Sequence, residues 1–397
     1  MKDLKKKVLI INSHFNIGGI ETAMVNMANA LCEEYDIDLF IYYPEGPIKE
    51  RLDPRVNVLS PCFAIKAMGM SLSQALKCGN PFILLFKLLG SLWAKVFDNR
   101  LPIYFAIRFQ KRLVGYDMAI AYRQEKSKSV LESGFVRLLY SKVEAPQKLA
   151  WIHCDATEYE KTQCFNRRYY QKADKVIGVS EAVANAFVKM NPQLSSKTDY
   201  CYNFIDYVDL YKKSKEEQSI PYPENKFICF SASRLGAEKG IVRGIKALTP
   251  VFEEHTDILW YIAGDGPDRK AVEDAIKDAD LSDRIILLGN QSNPYPYMKN
   301  ADLYLSLSFH EAAPMVYMEA KALHVPIFST KVLSTDEMLK DGIEDFICEN
   351  SEDGIRKAFS DLMANREKIA KAKENLRGYQ INNNRSIAKI EEFINQN

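Results

Sequence analysis

The sequence lacks the short patterns that mark several common classes of protein. Its eight cysteines are scattered and no two are spaced as Cys-x-x-Cys, which argues against a zinc site or a disulfide framework. The dinucleotide fingerprint Gly-x-Gly-x-x-Gly is absent, which argues against a nicotinamide-dependent enzyme. No apolar run approaches the roughly 20 residues that cross a bilayer as a helix. The composition, 47% hydrophobic and 26% charged, is that of an ordinary globular chain.

Positive and negative charges are divided unevenly between the two halves of the chain. Residues 1–205 hold 28 Lys and Arg against 20 Asp and Glu, whereas the remainder holds 25 against 32. The basic half is therefore expected to meet an anionic partner, such as a lipid diphosphate or a membrane surface. No nucleic-acid motif accompanies the charge, so no nucleic-acid partner is expected.

The expected compartment follows from the cysteines and from the first apolar run. Scattered single cysteines are typical of a reducing compartment. The run Val8–Ile11 is too short for the core of a signal peptide and is predicted instead as a buried strand. These features predict a cytoplasmic protein, and a location at the inner face of the cytoplasmic membrane stays open.

Apolar strand-like runs alternate with helical patterns over most of the 397 residues. This alternation predicts an α/β protein with parallel, doubly wound sheets. The pattern stops in a charged, proline-bearing stretch and then resumes, which predicts two domains joined by a linker. The predicted ranges are a first Rossmann-like domain, a linker, a second Rossmann-like domain and a C-terminal helix, at residues 1–205, 206–225, 226–375 and 376–397.

Two glutamates eight residues apart, Glu311 and Glu319, form the most informative pattern of the chain. The apolar run Ala301–Leu307 is predicted as a strand that leads into the loop holding Glu311. Pro314 is expected to be the first residue of the next helix, where its missing N–H costs nothing. The start of that helix would attract phosphate through its free amides and its dipole. Carboxylates on both sides of such a site suggest a sugar nucleotide, which has hydroxyls at both ends and phosphates between them.

Two cations follow another predicted strand, Lys226–Phe230. Arg234 and Lys239 lie on the loop at its carboxyl end, the edge at which open α/β sheets bind ligands. Together they can neutralise a diphosphate, Arg234 with a planar fork and Lys239 as a point charge. Because this positive charge can replace a divalent cation, we expect no metal and no other cofactor.

Small residues and a histidine follow other predicted strands. Gly264 and Asn290 each come after an apolar run of the second half. Gly18 and Gly19 follow the first strand, where glycine amides can approach a phosphate or an acceptor closely. His153 ends the strand that contains Trp151, which favours a functional role over a purely structural one.

Taken in their order along the chain, from Gly18 to Glu319, these motifs resemble those of retaining glycosyltransferases with the GT-B fold. This is the large group 1 family with the E-x7-E motif, which includes many bacterial polysaccharide and lipopolysaccharide enzymes. The resemblance implies two Rossmann-like domains that face each other across a cleft. The N-terminal domain would bind the acceptor and the C-terminal domain the nucleotide sugar, and the final helix would pack back on the first domain.

The resemblance also implies roles for individual residues. Glu311 would contact the donor sugar as a positioning group rather than a nucleophile, Glu319 would hold the ribose hydroxyls, and His153 would face the donor sugar. Arg234 and Lys239 would stabilise the negative charge that develops on the departing diphosphate. The predicted catalytic residues are Glu311, Arg234, Lys239 and His153, and the predicted substrate-binding residues are Gly18, Gly19, Gly264, Asn290, Ala312, Ala313, Pro314, Met315 and Glu319.

The chain departs from the family pattern at two places. Ala312 and Ala313 stand where similar proteins commonly have glycine, and His324 stands where they often have glycine before the proline at 326. Alanine disfavours positive φ, so the conformation of the phosphate loop and the donor preference are open points.

Residues 62–114 hold eight basic residues, one acidic residue and many large apolar side chains. Basic residues beside Trp, Phe and Leu are typical of a helix that lies in a membrane interface. Helices that cover the first sheet, with lysine side chains reaching out from the rim, explain the same composition. Both interpretations, including peripheral contact with a membrane, stay open at this stage.

The sequence therefore predicts a metal-independent, hexosyltransferase-type enzyme. It would move a sugar from a nucleotide diphosphate, expected to be UDP, to a hydroxyl of a glycan or lipid-linked glycan in surface polysaccharide synthesis. Two alternatives stay open, namely a sugar-nucleotide epimerase or phosphorylase on the same fold, and a non-catalytic partner in a glycan assembly complex.

Overall fold

The computed structural model describes residues 5–155, 167–380 and 382–395. The chain divides into two compact units, residues 1–204 with 383–397 and residues 205–382. The outer ends of the predicted domain ranges, residues 1–4 and 396–397, lie outside the described residues. Each unit contains one parallel sheet, which confirms the predicted fold class of two Rossmann-like α/β domains.

The sheet of the first unit has the strand order β3-β2-β1-β4-β5-β6-β7, and all its pairs are parallel. Its interior strand Lys7–His14 is buried at six consecutive positions, because helices cover both faces of the sheet. The strands are β1 Lys7–His14, β2 Asp36–Tyr43, β3 Asn57–Leu59, β4 Met118–Ala121, β5 Gln147–Ile152, β6 Lys175–Gly178 and β7 Thr198–Tyr200.

Helices join these strands on both faces of the first sheet. They are α1 Gly19–Leu31, α2 Phe63–Gly69, α3 Leu72–Lys77, α4 Pro81–Val96, α5 Arg100–Phe109, α6 Phe135–Lys142, α7 Arg167–Tyr170 and α8 Glu181–Met190, with short 3-10 helices at Pro47–Arg51 and Pro192–Lys197. No helix within the described residues combines the length and the apolar character needed to cross a bilayer.

The sheet of the second unit has the order β10-β9-β8-β11-β12-β13 and is also parallel. Its strands are β8 Phe227–Ala232, β9 Ile258–Ala263, β10 Ile285–Gly289, β11 Leu303–Ser306, β12 Ile327–Thr330 and β13 Phe346–Cys348. Its helices are α9 Tyr207–Lys213, α10 Ile241–Glu254, α11 Arg269–Asp278, α12 Tyr295–Lys299, α13 Met315–Ala322, α14 Thr335–Met338, α15 Glu352–Met363 and α16 Glu367–Leu376, with a 3-10 turn at Ala237–Lys239.

The last helix, α17 Asn384–Asn395, lies with the first unit. Its Lys389 forms an ion pair of 2.9 Å with Asp199, and its buried Phe393 ring lies under the ammonium group of Lys175. The chain therefore returns to its first unit after completing the second.

Residues 206–225, predicted as a linker, lie within the second unit. The Tyr211 hydroxyl donates to the Ala322 carbonyl at 2.9 Å, and the Tyr222 hydroxyl donates to the Tyr297 carbonyl at 3.0 Å. The charged residues and prolines of this stretch suggested a linker, but its Tyr211 and Tyr222 pack against the second unit.

Candidate active site

The loops that carry the predicted catalytic residues of the second unit meet at one edge of its sheet. Counted from β8, the strand order is 3-2-1-4-5-6, so the chain changes direction between β8 and its neighbour β11. Open α/β sheets bind ligands outside the carboxyl ends of the strands at such a switch point. Lys239 follows β8 and Glu311 follows β11, which brings residues 72 positions apart to the same place.

Lys239 and Glu311 form a direct ion pair at this switch point. The Lys239 ammonium group lies 2.6 Å from Glu311 Oε1, and the two side chains are 25% and 17% exposed. The same oxygen accepts a hydrogen bond of 2.8 Å from the Ser308 hydroxyl. Glu311 is therefore held in one orientation, at the edge of solvent and beside a cation.

Side chains from three other elements hold the backbone that leads to Glu311. The Leu307 carbonyl accepts from Arg243 Nη2 at 2.7 Å, and the Ser308 carbonyl accepts from Thr330 Oγ1 at 2.6 Å. The Phe309 carbonyl accepts from Asn350 Nδ2 at 3.0 Å. Sequence analysis missed these three donors, because nothing in their local sequence indicates that they converge on one loop.

Gly240 brings the Lys239 turn against the same loop. Its φ is +65°, and a Cβ atom there would lie 2.1 Å from the Leu307 carbonyl oxygen. A side chain would therefore require both a left-handed backbone and a shift of the loop. Glycine at this position allows the two loops to meet, and their contact places the Lys239 ammonium within reach of Glu311.

Arg234 lies on the same loop as Lys239 but is not part of its ion pair with Glu311. Its side chain is 66% exposed, and it forms an ion pair of 2.8 Å with Glu238. Exposed pairs of this kind contribute about 0–1 kcal/mol, so a ligand can draw the guanidinium away at little cost. The structure thus brings Lys239 and Glu311 together and leaves Arg234 on the surface of the loop.

Gly264 and Asn290 end neighbouring strands of the sheet. Gly264 has a φ of +141°, and a Cβ atom there would lie 1.8 Å from the Ser233 carbonyl oxygen. Its amide donates to the Gly289 carbonyl at 2.7 Å. The absence of a side chain at Gly264 therefore allows the loop before Arg234 to lie against the end of β9, and Asn290 is exposed directly after β10.

Helix α13 begins at Met315, one residue later than predicted. Pro314 precedes it with an extended backbone, φ −63° and ψ 121°, because this conformation turns the chain out of the loop into the helix. Proline has no side-chain acceptor, so no side chain caps the first amides of the helix. Neither Ala312 nor Ala313 takes a positive φ, so alanine is compatible with the loop at both positions.

Glu319 lies just over one turn into α13. Its Oε1 accepts a hydrogen bond of 3.1 Å from the Tyr295 hydroxyl, which comes from α12. The two glutamates of the motif are therefore positioned by different partners, Glu311 by Lys239 and Ser308 and Glu319 by a tyrosine.

His324 ends α13 with a φ of +60°. The His324 amide donates to the Lys321 carbonyl and the Val325 amide donates to the Ala320 carbonyl, the two bonds of a Schellman motif. Glycine is favoured at this position of the motif, which explains why similar proteins often have glycine where this chain has His324.

The first unit presents a second polar cluster at its own switch point, between β1 and β4. Gly18 precedes α1 and Gly19 is its first residue, at the carboxyl end of β1. Glu21, in the first turn of α1, is buried and forms an ion pair with Arg123, and its Oε1 lies 3.6 Å from His14 Nδ1. Burial lowers the pKa of His14, so this histidine is neutral at physiological pH.

His153 directly follows β5. Its Nε2 atom is fully buried and has no hydrogen-bond partner among the described residues. Burial lowers the pKa of His153 to about 3, so the imidazole is neutral. Burial also raises the pKa of the neighbouring Cys154 thiol, as expected for a packing residue rather than a nucleophile.

Comparison with known proteins identifies the second unit at the level of family. Residues 212–379 match the model of the family described as glycosyl transferases group 1. The chain is 28% identical to the N-acetyl-alpha-D-glucosaminyl L-malate synthase of Bacillus anthracis, over 45% of this chain and 47% of that protein. It is 27% identical to the N-acetylgalactosamine-N,N'-diacetylbacillosaminyl-diphospho-undecaprenol 4-alpha-N-acetylgalactosaminyltransferase of Campylobacter jejuni, over 41% of this chain and 42% of that protein. The alignments thus span less than half the length of either relative.

Comparison of structures covers the whole chain. HepE of Anabaena, solved in complex with UDP and glucose, matches with a TM-score of 0.69 and 19% identity, over 99% of this chain and 100% of that one. At this identity the match shows the fold alone, which is the GT-B fold implied by the motifs. The family match over residues 212–379, most of the second unit, thus identifies this unit with the group 1 glycosyltransferases.

Proposed function

We propose that the protein transfers a hexosyl group from a UDP-sugar to a hydroxyl of a lipid-linked glycan in the synthesis of a surface polysaccharide. The anomeric configuration of the sugar would be retained. The observation that carries the proposal is the Lys239–Glu311 ion pair of 2.6 Å, next to the uncapped start of α13 at the switch point of the second sheet.

In this proposal the diphosphate of the donor lies against the start of α13. The first amides of the helix and its dipole favour an anion there. Lys239 exchanges its single contact with Glu311 for the more negative diphosphate, and Arg234 leaves its exposed partner Glu238 to add a second cation. Fixed donors aimed at the leaving diphosphate stabilise the charge that develops as the glycosidic bond breaks.

These cations would take the place of a divalent metal. Lys239 and Arg234 supply two positive charges, and the amides of Met315 and its neighbours supply further donors. We therefore propose that activity is independent of added metal and persists in excess chelator. A loss of activity in chelator that magnesium restores would contradict this part of the proposal.

The two carboxylates would hold the two ends of the donor. Glu319, which Tyr295 orients, accepts hydrogen bonds from the ribose hydroxyls. Glu311 accepts hydrogen bonds from the donor sugar once Lys239 turns to the diphosphate. Because Glu311 is already engaged by a lysine and a serine hydroxyl, we assign it positioning of the sugar rather than nucleophilic attack.

Residues of the first unit are proposed to complete the reaction. A neutral His153 can accept or donate one hydrogen bond to a sugar hydroxyl without bringing a charge that would oppose the developing oxocarbenium ion. Gly18 and Gly19, at the start of α1, can approach the acceptor or phosphate closely with their backbone amides. Together these positions define the proposed contribution of the acceptor-binding unit.

A lipid-linked acceptor is supported by the names of relatives and by the surface of α4 and α5. The Campylobacter jejuni relative acts on a diphospho-undecaprenol, as its name states. Helices α4 and α5 carry many exposed large apolar side chains, among them Phe82, Leu85, Leu89, Trp93 and Phe105, and the exposed Phe97 directly follows α4. With eight basic residues in 62–114, this surface suits peripheral contact with an anionic membrane.

The proposal is tested by incubating the protein with a panel of nucleotide sugars, using membrane extract as the acceptor, and identifying products by mass spectrometry. We expect one UDP-sugar to yield a glycosylated lipid and UDP. Lys239→Met and Glu311→Gln should each lower the rate by about 100-fold, the usual effect of removing one group that stabilises a transition state. Lys246→Met, an exposed lysine on α10, is the matched control and should leave the rate unchanged.

Two outcomes would overturn the proposal in favour of the alternatives. Conversion of the UDP-sugar without any acceptor would indicate an epimerase. A cellular glycan that is lost on deletion of the chain but unchanged by Glu311→Gln would indicate a non-catalytic assembly partner.

A further inference from the structure

A second cavity lies in the first unit, apart from the donor site described above. It has a volume of about 390 Å³ and lies next to His14, at the carboxyl end of β1. Its charged lining residues are Lys87 and Lys95 from α4 and Glu132 from the loop before α6, and Ser71, Gln74 and Ser91 add polar groups. A cavity of this size falls in the range that holds a small ligand.

Helix α4 presents two rows of different chemistry beside this cavity. Lys87, Ser91 and Lys95 follow one another at a spacing of four residues, so they share one side of the helix, and all three line the cavity. The neighbouring row, Leu88, Leu92 and Val96, is 46%, 61% and 63% exposed. The buried positions of α4 are also apolar, namely Ile83, Gly90 and Ala94. The polar row of α4 thus lines a pocket, while the row exposed to solvent is apolar, unlike the polar outer face of an ordinary surface helix.

Among the described residues, the one carboxylate that lines the cavity does not pair with the two lysines, so both lysines are available to bind an anion. Glu132 is occupied, because Lys126 pairs with it at 2.8 Å and the Ser13 hydroxyl donates to it. Within the described part of the chain, neither Lys87 nor Lys95 forms an ion pair, and Lys87 makes only a long contact of 3.4 Å to the Met68 carbonyl. Burial lowers the pKa of Lys87, a cost that a bound anion would offset.

We propose that this cavity binds the diphosphate of the acceptor, with Lys87 and Lys95 as its cationic contacts and the hydrocarbon chain of the acceptor along the Leu88–Leu92–Val96 row. Two lysines match the charge of a diphosphate, and the remaining volume accommodates a sugar ring beside it. The adjacent apolar row explains why a ligand that joins a diphosphate to a hydrocarbon suits the site better than a free anion. The inference rests on the proposed function, since it names the acceptor class of that reaction.

The test measures binding of farnesyl diphosphate, a soluble isoprenoid diphosphate, by isothermal titration calorimetry. Lys87→Gln and Lys95→Gln should each weaken binding by about 10-fold or more, the usual cost of a lost charge-assisted hydrogen bond. Lys77→Gln is the matched control, because Lys77 is an exposed lysine of the same basic region that does not line the cavity. It should change binding by less than about twofold. Lys95 is exposed, so its variant keeps the test valid if Lys87→Gln folds poorly.

Three further arms identify the ligand. Inorganic pyrophosphate and farnesol should each bind at least about 10-fold more weakly than farnesyl diphosphate, because each lacks one half of the proposed contacts. Saturating UDP should not displace farnesyl diphosphate, which would separate this cavity from the donor site. The last arm asks whether phosphatidylglycerol vesicles compete with farnesyl diphosphate more strongly than pyrophosphate does. If they do, and that competition is lost in Lys87→Gln but kept in Lys77→Gln, the cavity binds a phospholipid headgroup and the proposal is overturned.

The same experiment separates this inference from the proposed function. If UDP binds and the lysine variants bind farnesyl diphosphate as the wild type does, the acceptor site is wrong while the transferase proposal stands. If UDP fails to bind at all, the proposed function is wrong, whatever the cavity binds. Weakening in Lys87→Gln and Lys95→Gln equal to that in Lys77→Gln would show a general effect of charge and would also refute the site.

Discussion

Replacing Arg243 by methionine tests whether a buried cation holds the loop of Glu311. Arg243 is 8% exposed, and its guanidinium lies 3.7 Å from the ring centroid of Phe309. It donates to the Leu307 carbonyl at 2.7 Å and, less closely, to the Asn350 carbonyl at 3.4 Å. Methionine has a similar reach but neither donors nor charge, so the substitution removes these interactions without leaving a large cavity.

The expected loss of stability follows from these contacts. A buried hydrogen bond from a charged donor contributes about 1.5–3 kcal/mol, and a desolvated cation–π contact about 2 kcal/mol. Methionine also removes an unfavourable contribution, the cost of burying the charged guanidinium, and this gain offsets part of the loss. The guanidinium nitrogen Nε has no hydrogen-bond partner in the described residues. We therefore expect Arg243→Met to lower the free energy of unfolding by about 2–4 kcal/mol.

Urea denaturation followed by circular dichroism measures this change, and hydrogen exchange of peptides that contain Leu307–Glu311 measures the loop directly. The exposed Arg356, which pairs with Asp353 on α15, is the matched control, and Arg356→Met should stay within about 0.5 kcal/mol of the wild type. Turnover should also fall in Arg243→Met, since Glu311 loses its fixed position. Equal stability and equal loop exchange in both variants would refute the argument that Arg243 braces the loop.

Three more substitutions test other parts of the structure. Lys321 is buried and pairs with Glu344 at 2.9 Å and Asp345 at 3.2 Å. Glu344 also pairs with Lys340 at 2.7 Å, so Lys321→Met leaves the buried Asp345 carboxylate without its cation and should cost about 3–5 kcal/mol in urea denaturation. His324→Gly should raise the thermal midpoint, because glycine takes the left-handed φ of +60° without strain. The larger conformational entropy of glycine in the unfolded chain limits the gain in stability to about 1 kcal/mol. A lower midpoint would contradict the Schellman assignment. Burial lowers the pKa of His153 to about 3 from its ordinary value of 6.5, so the unfolded chain binds this proton more readily and stability should fall as the pH drops from 6.5 toward 3. His153→Gln should flatten this dependence of stability on pH. Identical slopes in the variant and the wild type would show that His153 is not buried as a neutral imidazole.

The sequence was sufficient to predict the fold and the edge of the sheet at which the motifs meet. Parallel strands end at one edge, so a lysine after β8 and a glutamate after β11 had to approach each other, and the structure brings Lys239 and Glu311 to 2.6 Å. The strand-loop-helix order predicted around Pro314 is present, but the strand is shorter than the predicted Ala301–Leu307, at Leu303–Ser306, and α13 begins one residue late. These features depend on local pattern and topology, which a single sequence contains.

The supports of the site were not predictable in the same way. Thr330 and Asn350 donate to the loop before Glu311 from distant elements, and neither has a local pattern that indicates it. The stretch 206–225 has the composition of a linker but packs through its tyrosines. The exposure of the apolar row of α4 was also not predictable, because a sequence shows that apolar residues share one side of a helix but not whether that side faces solvent.

Calorimetric titration of UDP into the wild type and into Lys239→Met is the direct test of the proposed donor site. We expect the wild type to bind UDP without metal, Lys239→Met to bind it at least about 10-fold more weakly, and Lys246→Met to bind it as the wild type does. Unchanged affinity in Lys239→Met, with the protein still folded by circular dichroism, would contradict the claim that this lysine and the start of α13 hold the diphosphate of the donor.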